Sequence, residues 1–487
     1  MSNRYTWMII LFCVAAQNAN ATSAPSLPSG SSRSPLLSQQ STQLTLEDAV
    51  YLGLRNHRGI RSAYLQRVGQ KFDLRVAQDQ FNPKLLLSAK FQDARSQNDR
   101  GLNTALSPTV DLLGEYGTRL SVGWTRQLDD AERAGRARSD GLNLSVIQPL
   151  LRGAGRDVTT APLRLAQLSE QANRLNLKAS VSQSIHDIIT AYRELLRSQE
   201  QLAIAQEALK RTQSLLEVNK ALINAGRMAE FEIVQTQAEI AVQELGVEEA
   251  HNQLHLNRLA LLHLLALDLS TPVHASEIPE AFRVTIDQQQ ALRLAEAQQP
   301  QYLSTLLASQ QADLSLLLAK DQKRWDVSLI AGANQLHARY DNAIGSGRTW
   351  DSYAGVQLEI PIGDLSSRQA EVHARINVEA QEINLSDARQ ELERAVNNAV
   401  RELNTRWRQY EIAQRATELS RRKLDIEREK LNAGRSSNFQ ILSFESDMRG
   451  AENARLSALI AYLNVQTQLD LILGMTLDTW EIALNDH

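Results

Sequence analysis

Apolar residues recur at seven-residue intervals over two long stretches of the chain. The first stretch carries them at Ile188, Leu195, Leu202, Leu209, Leu216 and Ile223. The second carries the same spacing at Val396, Leu403, Tyr410, Thr417, Leu424 and Leu431. A sustained heptad of this kind predicts helices that pack along a coiled-coil seam. The first run extends from Pro162 to Ala225 without another proline or glycine, so it predicts one helix roughly 95 Å long at about 1.5 Å per residue.

Elsewhere apolar residues alternate with polar ones, which predicts strands with one apolar and one polar face. The apolar positions are Leu85, Leu87, Ala89 and Phe91; Leu142, Leu144 and Val146; Val327, Leu329, Ala331 and Ala333; and Val356, Leu358, Ile360 and Ile362. Because the neighbouring helices have only narrow apolar seams, we expect lipid to cover these faces in a transmembrane barrel with a polar lumen. About four strands cannot close a barrel, and lipid does not tolerate open sheet edges, so the chain is expected to oligomerise.

Other parts of the strand region are less regular. Segment 118–127 alternates in the same way and suggests an additional strand in the first half only. Segments 92–118 and 335–352 are rich in Gly, Asn, Asp, Ser and Arg, and we predict that they are loops outside the membrane. An aromatic girdle at the membrane surface and simple loop packing both remain open for Trp124, Trp350 and Tyr353.

The chain also repeats itself. INAGRMAEF at 223–231 and LNAGRSSNF at 431–439 place Gly226 and Gly434 208 residues apart, and the same offset aligns the flanking helices. A glycine just after a helix permits a left-handed turn, so the two glycines mark the tips of two helical hairpins. Each unit is expected to contain a first helix (46–79 and 287–323), strands, a long helix, the tip, and a second helix (about 229–267 and 437–473). The predicted organisation is a signal peptide at 1–21, a flexible leader at 22–43, a first repeat at 44–271, a linker at 272–283, a second repeat at 284–475 and a tail at 476–487.

Composition and the N-terminal residues exclude several classes of function. The 487 residues carry a formal net charge of −4, which gives no electrostatic footprint for nucleic acid. Arg4, the apolar run from Trp7 to Ala16 and the small residues before Thr22 are typical of a secretory signal, and the apolar run is too short to span a bilayer. The only cysteine, Cys13, lies inside this signal, so the mature chain is expected to lack disulfides, thiolate metal sites and a cysteine nucleophile.

Only one group of residues suggests metal chemistry. His251 and His255 lie on one helix face with His263 two turns beyond, a spacing that a zinc site can use. No adjacent residue supplies a group that would activate a water, and a face that simply lines water is the preferred interpretation. We therefore expect no metal, no cofactor and no enzyme activity.

Taken in order, these segments resemble the TolC-like outer-membrane efflux proteins. The resemblance is carried by LTLEDA at 44–49, QPLLRGAGR at 148–156, NAGR at 224–227 and 432–435, and LILGM at 471–475. It implies a mainly α fold with transmembrane β-structure, in which a homotrimer forms one twelve-stranded outer-membrane β-barrel continued by a long periplasmic coiled-coil barrel, with an internal duplication. It also implies a passive exit duct of a tripartite efflux pump or type I secretion system. The partners would be a periplasmic adaptor (membrane fusion) protein, an inner-membrane pump or ABC exporter, and outer-membrane lipid.

The resemblance assigns roles to the tips. Gly226, Arg227, Gly434 and Arg435 are expected to dock the adaptor. Several family members carry acidic residues six and nine positions beyond the second glycine, where they ring the closed aperture. Here Gln440 and Ser443 occupy those positions, and the first copy offers Glu232. Glu232 either lines the lumen, where carboxylate rings select cations, or forms an ion pair with Arg227 or Arg435 that locks the aperture.

A second class of protein stays open at the sequence level. A periplasmic or secreted coiled-coil scaffold without a channel would explain the heptads. The alternating strands argue against it. The sequence does not indicate the transported substrate, which could be a drug, a metal, a metabolite or a protein.

Overall fold

The computed structural model describes residues 42–484, apart from 96–99, 133–134, 277–279, 341–345 and 364. The predicted signal peptide and nearly all of the leader lie outside the described residues. The helices are α1 (Leu46–Asn56), α2 (Arg58–Asp79), α3 (Arg156–Thr159), α4 (Ala161–Asn224), α5 (Glu232–Leu264), α6 (Gln288–Gln298), α7 (Pro300–Gln322), α8 (Ser366–Asn432), α9 (Asn438–Leu473) and α10 (Thr476–Thr479). The strands are β1 (Thr42–Leu44), β2 (Lys84–Arg95), β3 (Arg100–Leu113), β4 (Arg119–Ala131), β5 (Gly135–Pro149), β6 (Val273–Ala275), β7 (Asp326–Tyr340) and β8 (Ser346–Glu359).

The two halves of the chain contain the same order of helices. In each half two consecutive helices lead into strands, a helix of 64 or 67 residues follows, and a tip and one more long helix complete the unit. The expected 46–79 and 287–323 helices are each broken in two. The break falls at His57, whose side chain accepts from Ile60 N–H, and at Gln299, whose side chain accepts from Tyr302 N–H. Each break is therefore stabilised because a side chain caps the helix that follows.

The predicted coiled-coil seam is correct in the second half. Val396, Leu403, Thr417, Leu424 and Leu431 are all buried on α8, where α8 packs along α9. In the first half the prediction holds only near the middle of α4, where Ile188 and Leu195 are buried.

Closer to the C-terminal end of α4, the expected positions Leu202, Leu209 and Leu216 are only half-buried. The buried residues there are shifted by about one position along the helix. They are Ala208, Thr212, Leu215 and Asn219. A straight helix with 3.6 residues per turn drifts relative to a strict seven-residue repeat, which accounts for such a shift.

A single six-stranded antiparallel sheet forms the other end of the molecule. Its order is β2-β3-β4-β5-β7-β8, so the first half contributes four strands and the second half two. The additional strand expected at 118–127 exists as β4, but the expectation of about four strands per chain is wrong. Most of the predicted loop 92–118 is the strand β3, and most of the predicted loop 335–352 belongs to β7 and β8. The first half therefore contributes four strands and the second half two, so the number of strands in the sheet is even.

Pro108 lies in the middle of β3. It has no N–H to donate, and a proline within an alternating run normally argues against an inner strand. Here the ladder between β3 and β4 lacks pairs at Ser107 and Pro108 but is continuous on both sides. The strand thus tolerates two consecutive missing pairs because the flanking pairs hold its register.

Two buried tyrosines connect α4 and α9 to segments outside the long helices. Tyr192 on α4 donates to the carbonyl oxygen of Leu44 at 2.9 Å, and Leu44 belongs to β1, which pairs in parallel with β6. The hydroxyl of Tyr462 on α9 donates to Phe282 O at 2.7 Å and accepts from Val284 N–H at 3.1 Å. The short β1–β6 pair lies at the end of the predicted leader and within the predicted linker, where the sequence suggested no strand.

Candidate functional site

One face of the six-stranded sheet is apolar across every strand. Residues opposite each other in the ladders lie on the same face, and one such row contains Leu85, Val110, Val122, Leu144 and Ala333. The large side chains of this face are exposed, with Leu85 at 72%. Soluble proteins rarely leave an apolar surface of this extent in water. A lipid environment satisfies it, as in the wall of a transmembrane barrel.

The opposite face of the sheet is polar and carries cross-strand hydrogen bonds. The Ser88 hydroxyl donates to Ser107 O at 3.0 Å, and the Ser107 hydroxyl donates to Thr125 Oγ1 at 3.1 Å. Farther along the same sheet, Asn143 Nδ2 donates to Asn334 Oδ1 at 2.6 Å. These side chains link β2 to β3 and β4, and β5 to β7. The polar face therefore suits contact with water, which is what the lumen of a channel provides.

The three aromatic residues considered for a girdle do not lie together. Trp124 and Trp350 lie on the apolar face, in one row with Leu142 and Gln335 between them. Tyr353 lies on the polar face, where its ring occupies the space that a Cβ at Gly332 would need. Only the two tryptophans are thus placed where a membrane interface would meet them.

The far end of the helices consists of the two NAGR tips. Gly226 and Gly434 both have φ of +70°, and their N–H groups and those of Arg227 and Arg435 bond back to carbonyl groups in the last turn of α4 and α8 at 2.8–2.9 Å. This double bond pattern closes a helix with a left-handed residue that favours glycine. Both glycines and both arginines are exposed, so the tips are available to a partner.

The two segments that follow the tips differ in where the next helix begins and in how it is capped. In the second copy Ser437 caps α9, because its side chain accepts from Gln440 N–H, and the helix begins at Asn438. The corresponding position in the first copy is Ala229, which offers no oxygen. There the helix begins only at Glu232 and has no side-chain cap. The first tip therefore has a longer irregular segment than the second.

The three predicted aperture residues lie in this region and are half-buried within one chain. Glu232 is the first residue of α5, and its carbonyl oxygen accepts from Asn438 Nδ2 at 3.3 Å. Gln440 and Ser443 are three residues apart on α9 and so share a face. Among the residues described here, Glu232 forms no ion pair with Arg227 or Arg435. Its place in an aperture stays a prediction.

A buried polar cluster joins the two hairpins close to the tips. Asn219 on α4 donates to Thr236 Oγ1 on α5 at 2.9 Å and to Asn438 Oδ1 on α9 at 2.7 Å. Asn438 in turn donates to Thr236 Oγ1 at 3.0 Å. All three side chains are fully buried. Since a buried polar group without a partner is costly, this cluster fixes the two hairpins in one relative position.

Ion pairs and a hydrogen bond also join the two helical hairpins farther from the tips. Arg211 on α4 donates to the carboxylate of Glu445 on α9 at 2.9 Å, and Arg428 on α8 donates to the same carboxylate. Arg449 on α9 donates to Gln243 Oε1 on α5 at 2.7 Å. Glu445 is buried while both its partners reach solvent. Sequence periodicity does not reveal the contacts of Arg211 with Glu445 and of Arg449 with Gln243, because they join residues 234 and 206 positions apart.

Glu427 connects the second tip to its own helix. Its carboxylate accepts from the Ser436 hydroxyl at 2.7 Å and from Lys430 Nζ at 3.0 Å. These two interactions, with the Ser436 hydrogen bond the larger, hold the pKa of Glu427 below its ordinary value. The carboxylate therefore stays ionised at neutral pH and keeps Ser436 against the end of α8.

The histidines on α5 are not grouped with other metal-ligating side chains in the described residues. His255 Nδ1 contacts Arg258 Nη2 at 2.8 Å, which is not the environment of a metal ligand. Within the described chain, no three His, Cys, Asp or Glu side chains are grouped so as to hold a metal ion.

Helix α9 is the one described helix that is long and apolar enough to cross a membrane on length and composition alone. Its neighbours explain the apolar residues differently. Leu456, Leu459, Ile460 and Leu463 pack against other helices, and Glu445 and Arg449 carry the polar links described above. Its apolar residues thus serve the helical body.

Comparisons with known proteins agree with this geometry. No protein-family model matches the sequence, and no curated protein matches it significantly. Solved structures do match. The CmeC outer membrane channel of Campylobacter jejuni has a TM-score of 0.65 and 18% identity, with 88% of this chain and 86% of that chain covered. The outer membrane protein VceC of Vibrio cholerae has a TM-score of 0.67 and 14% identity, with 88% and 96% covered.

The MtrE outer membrane channel of Neisseria gonorrhoeae, in its open state, has a TM-score of 0.64 and 16% identity, with 88% of both chains covered. These similarities extend over both the sheet and the helices. The chain therefore has the fold of these outer-membrane channel proteins. The CmeC and MtrE neighbours are outer membrane channels.

Proposed function

We propose that this chain is the outer-membrane exit channel of a tripartite efflux pump or a type I secretion system. The observation that carries the proposal is the join between a sheet with one apolar and one polar face and helices that extend about 96 Å away from it, at about 1.5 Å per residue. The sheet fits an outer membrane, and helices of this length fit a passage across the periplasm. The shared fold with outer-membrane channels supports the same function.

The active form is a homotrimer, and transport through it is passive. The tips at the far end of the helices, with Gly226, Arg227, Gly434 and Arg435, dock a periplasmic adaptor that belongs to an inner-membrane pump or ABC exporter. Glu232, Gln440 and Ser443 lie next to the tips and form the periplasmic aperture. The buried cluster around Asn219 and the ion pairs of Glu445 hold the hairpins in the arrangement seen here.

The test combines location with conductance. Expressed with its native N-terminus, the protein should fractionate with the outer membrane as a stable trimer, and the purified trimer should form ion-conducting pores in planar lipid bilayers. A soluble protein without conductance would instead establish the coiled-coil scaffold without a channel. A trimer in the outer membrane that conducts no ions in any condition would contradict the proposed passive conduit.

A further inference from the structure

The six-stranded sheet has two open edges. In the described part of the chain, strand β2 pairs only with β3, and β8 pairs only with β7. Every position along β2 is exposed, in contrast to the inner strands β3, β4 and β5. Both edges belong to the part of the chain whose apolar face suits lipid. A row of unpaired N–H and C=O groups is not tolerated there, so each edge requires another strand.

A second copy of the chain can supply that strand. All neighbouring pairs in the sheet are antiparallel, so with six strands in the order β2-β3-β4-β5-β7-β8 the two edge strands run in opposite directions. When β8 of one copy lies beside β2 of the next, the new pair is antiparallel as well, and the apolar faces of both copies stay on the same side. We propose that β2 and β8 form the seam between copies and that three copies close an eighteen-stranded transmembrane barrel. This inference rests on the proposed function.

The dimensions of the helical part support this number. Near the sheet α2 packs on α4, α4 on α7, and α7 on α8, which gives four helices side by side per copy. Twelve helices at about 9 Å spacing have a circumference of about 110 Å. Eighteen strands at about 4.8 Å spacing and about 40° tilt also have a circumference of about 110 Å. Four strands per copy at the same tilt would give only about 75 Å, so β3 and β4 make up the difference.

The hairpin of β3 and β4 is built into the wall. Its alternation places Leu106 and Val110, and Val122 and Trp124, on the apolar face in register with the neighbouring strands. Its turn lies at the end of the sheet next to the helices and is anchored there. The N–H of Gly114 donates to Thr118 O at 2.8 Å.

The same turn contacts the junction between β5 and α3. The Gly155 N–H donates to Tyr116 O at 3.4 Å, and the Thr118 hydroxyl donates to Gln148. Gly117 has φ of +89° and lies so close to Gly153 O that a Cβ would clash with it. A hairpin that merely projected from the barrel would not need these contacts.

The consequence is a wide outer section. A circumference of about 110 Å corresponds to a diameter of about 36 Å between strand axes, which leaves a bore of roughly 25 Å after side chains are allowed for. The membrane section thus admits large hydrated cargo such as an unfolded polypeptide, and the helical part sets the limit on size.

Disulfide formation tests the seam directly, because the only cysteine, Cys13, lies in the predicted signal peptide. Ser88→Cys on the polar face of β2 is combined in turn with a cysteine at four positions on the polar face of β8: Asp351, Tyr353, Gly355 and Gln357. Paired strands bring Cβ atoms within disulfide range, so one of the four should link neighbouring copies covalently. The series of disulfide-linked products should end at three linked chains. The matched control is Leu87→Cys with the same four partners, which should not link because Leu87 lies on the apolar face.

A second pair of variants tests the position of β3 within the wall. Ser88→Cys with Ser107→Cys should link within one chain, since these residues face each other. Ser88→Cys with Gly141→Cys should not, since two strands separate them. An outer-membrane trimer that gives the Ser88–Gly141 link would show that β2 joins β5 directly, and it would overturn the eighteen-stranded wall while leaving the channel intact. A series of linked products that ends at another copy number would also overturn it, whereas a soluble monomer would overturn the proposed function itself.

Discussion

The two halves of this chain build nearly the same tip but very different shares of the sheet. At the tips, Gly226 and Gly434 adopt the same φ and the same closing hydrogen bonds. At the sheet, the first half supplies four strands and the second half two. The comparison teaches that the helix-closing turn of the tip is kept the same in both halves, because it depends on one left-handed position. The sheet can gain a whole hairpin, because an added antiparallel pair preserves the direction and faces of its neighbours.

The largest effect is expected from changing the glycine of both tips. Gly226→Val together with Gly434→Val should abolish efflux from cells that depend on this chain, while the trimer still assembles. A β-branched residue resists positive φ at a cost of about 1–2 kcal/mol per position, although nothing nearby would clash with the new side chains. The matched control is Gly246→Val with Gly450→Val, two helical positions with equally open surroundings. Full efflux from the tip variant would leave these glycines as helix ends without a docking role.

The polar cluster next to the tips is not symmetric, which gives the second prediction. Asn438→Ala removes the partner of Asn219 and Thr236 in a site that is fully buried. We expect a loss of about 1–3 kcal/mol in unfolding free energy, because the remaining polar groups lose a bond and cannot reach water. The equivalent position in the first half is Glu230, which is exposed, and Glu230→Ala should change stability very little. Equal losses in thermal unfolding would contradict the asymmetry.

Asp470 gives a prediction about pH. Its equivalent in the first half is the fully buried Leu262, and burial raises the pKa of Asp470 to about 6. The folded state then holds the proton more tightly than the unfolded state, so stability is lost as pH rises through about 6. Asp470→Asn should raise the unfolding free energy on the order of 1–2 kcal/mol at pH 8 and leave it nearly unchanged at pH 4.

The control for this measurement is Asp313→Asn at an exposed position, which should change the unfolding free energy very little. A stabilisation by Asp470→Asn that is the same at both pH values would show that the ionised carboxylate carries no penalty.

The fourth prediction concerns the unequal caps. Ser437→Ala should cost about 1 kcal/mol, because α9 loses its N-terminal cap. The reciprocal change, Ala229→Ser, gives the first copy the missing oxygen and should lengthen α5 at its start. Hydrogen exchange of the amides between the tip and the first helical turn distinguishes the two. If Ala229→Ser leaves that exchange as fast as before, the longer irregular segment has another cause.

The smallest effect is expected at the aperture. Glu232→Gln should reduce a modest cation preference in planar bilayers if Glu232 lines the lumen, since a ring of three carboxylates attracts cations. Gln440→Glu should add a second ring and increase the preference. Unchanged selectivity with larger or more frequent openings in Glu232→Gln would favour an ion-pair lock, and no change in either quantity would remove Glu232 from the aperture.

Periodicity predicted the long helices, and the repeated NAGR segments predicted both tips, to within a few residues. It failed where a single side chain decides the outcome. His57 and Gln299 each cap a new helix inside a run that looks continuous, and Pro108 sits in a strand that its type normally excludes. The contacts of Asn219 with Asn438 were beyond sequence reasoning, because they depend on how two distant hairpins pack. The candidate residues at the tips came from the repeat and the family resemblance.

The short parallel pair of β1 and β6 has a consequence for how the chain folds. It joins Thr42–Leu44 to Val273–Ala275, so the first half is tied into a ring as soon as residue 275 has been synthesised. Such a closed unit can form early, because its contacts do not wait for the second half. The edge of β5 then stays unpaired until β7 arrives, and that interval is when a chaperone would have to protect the sheet from aggregation.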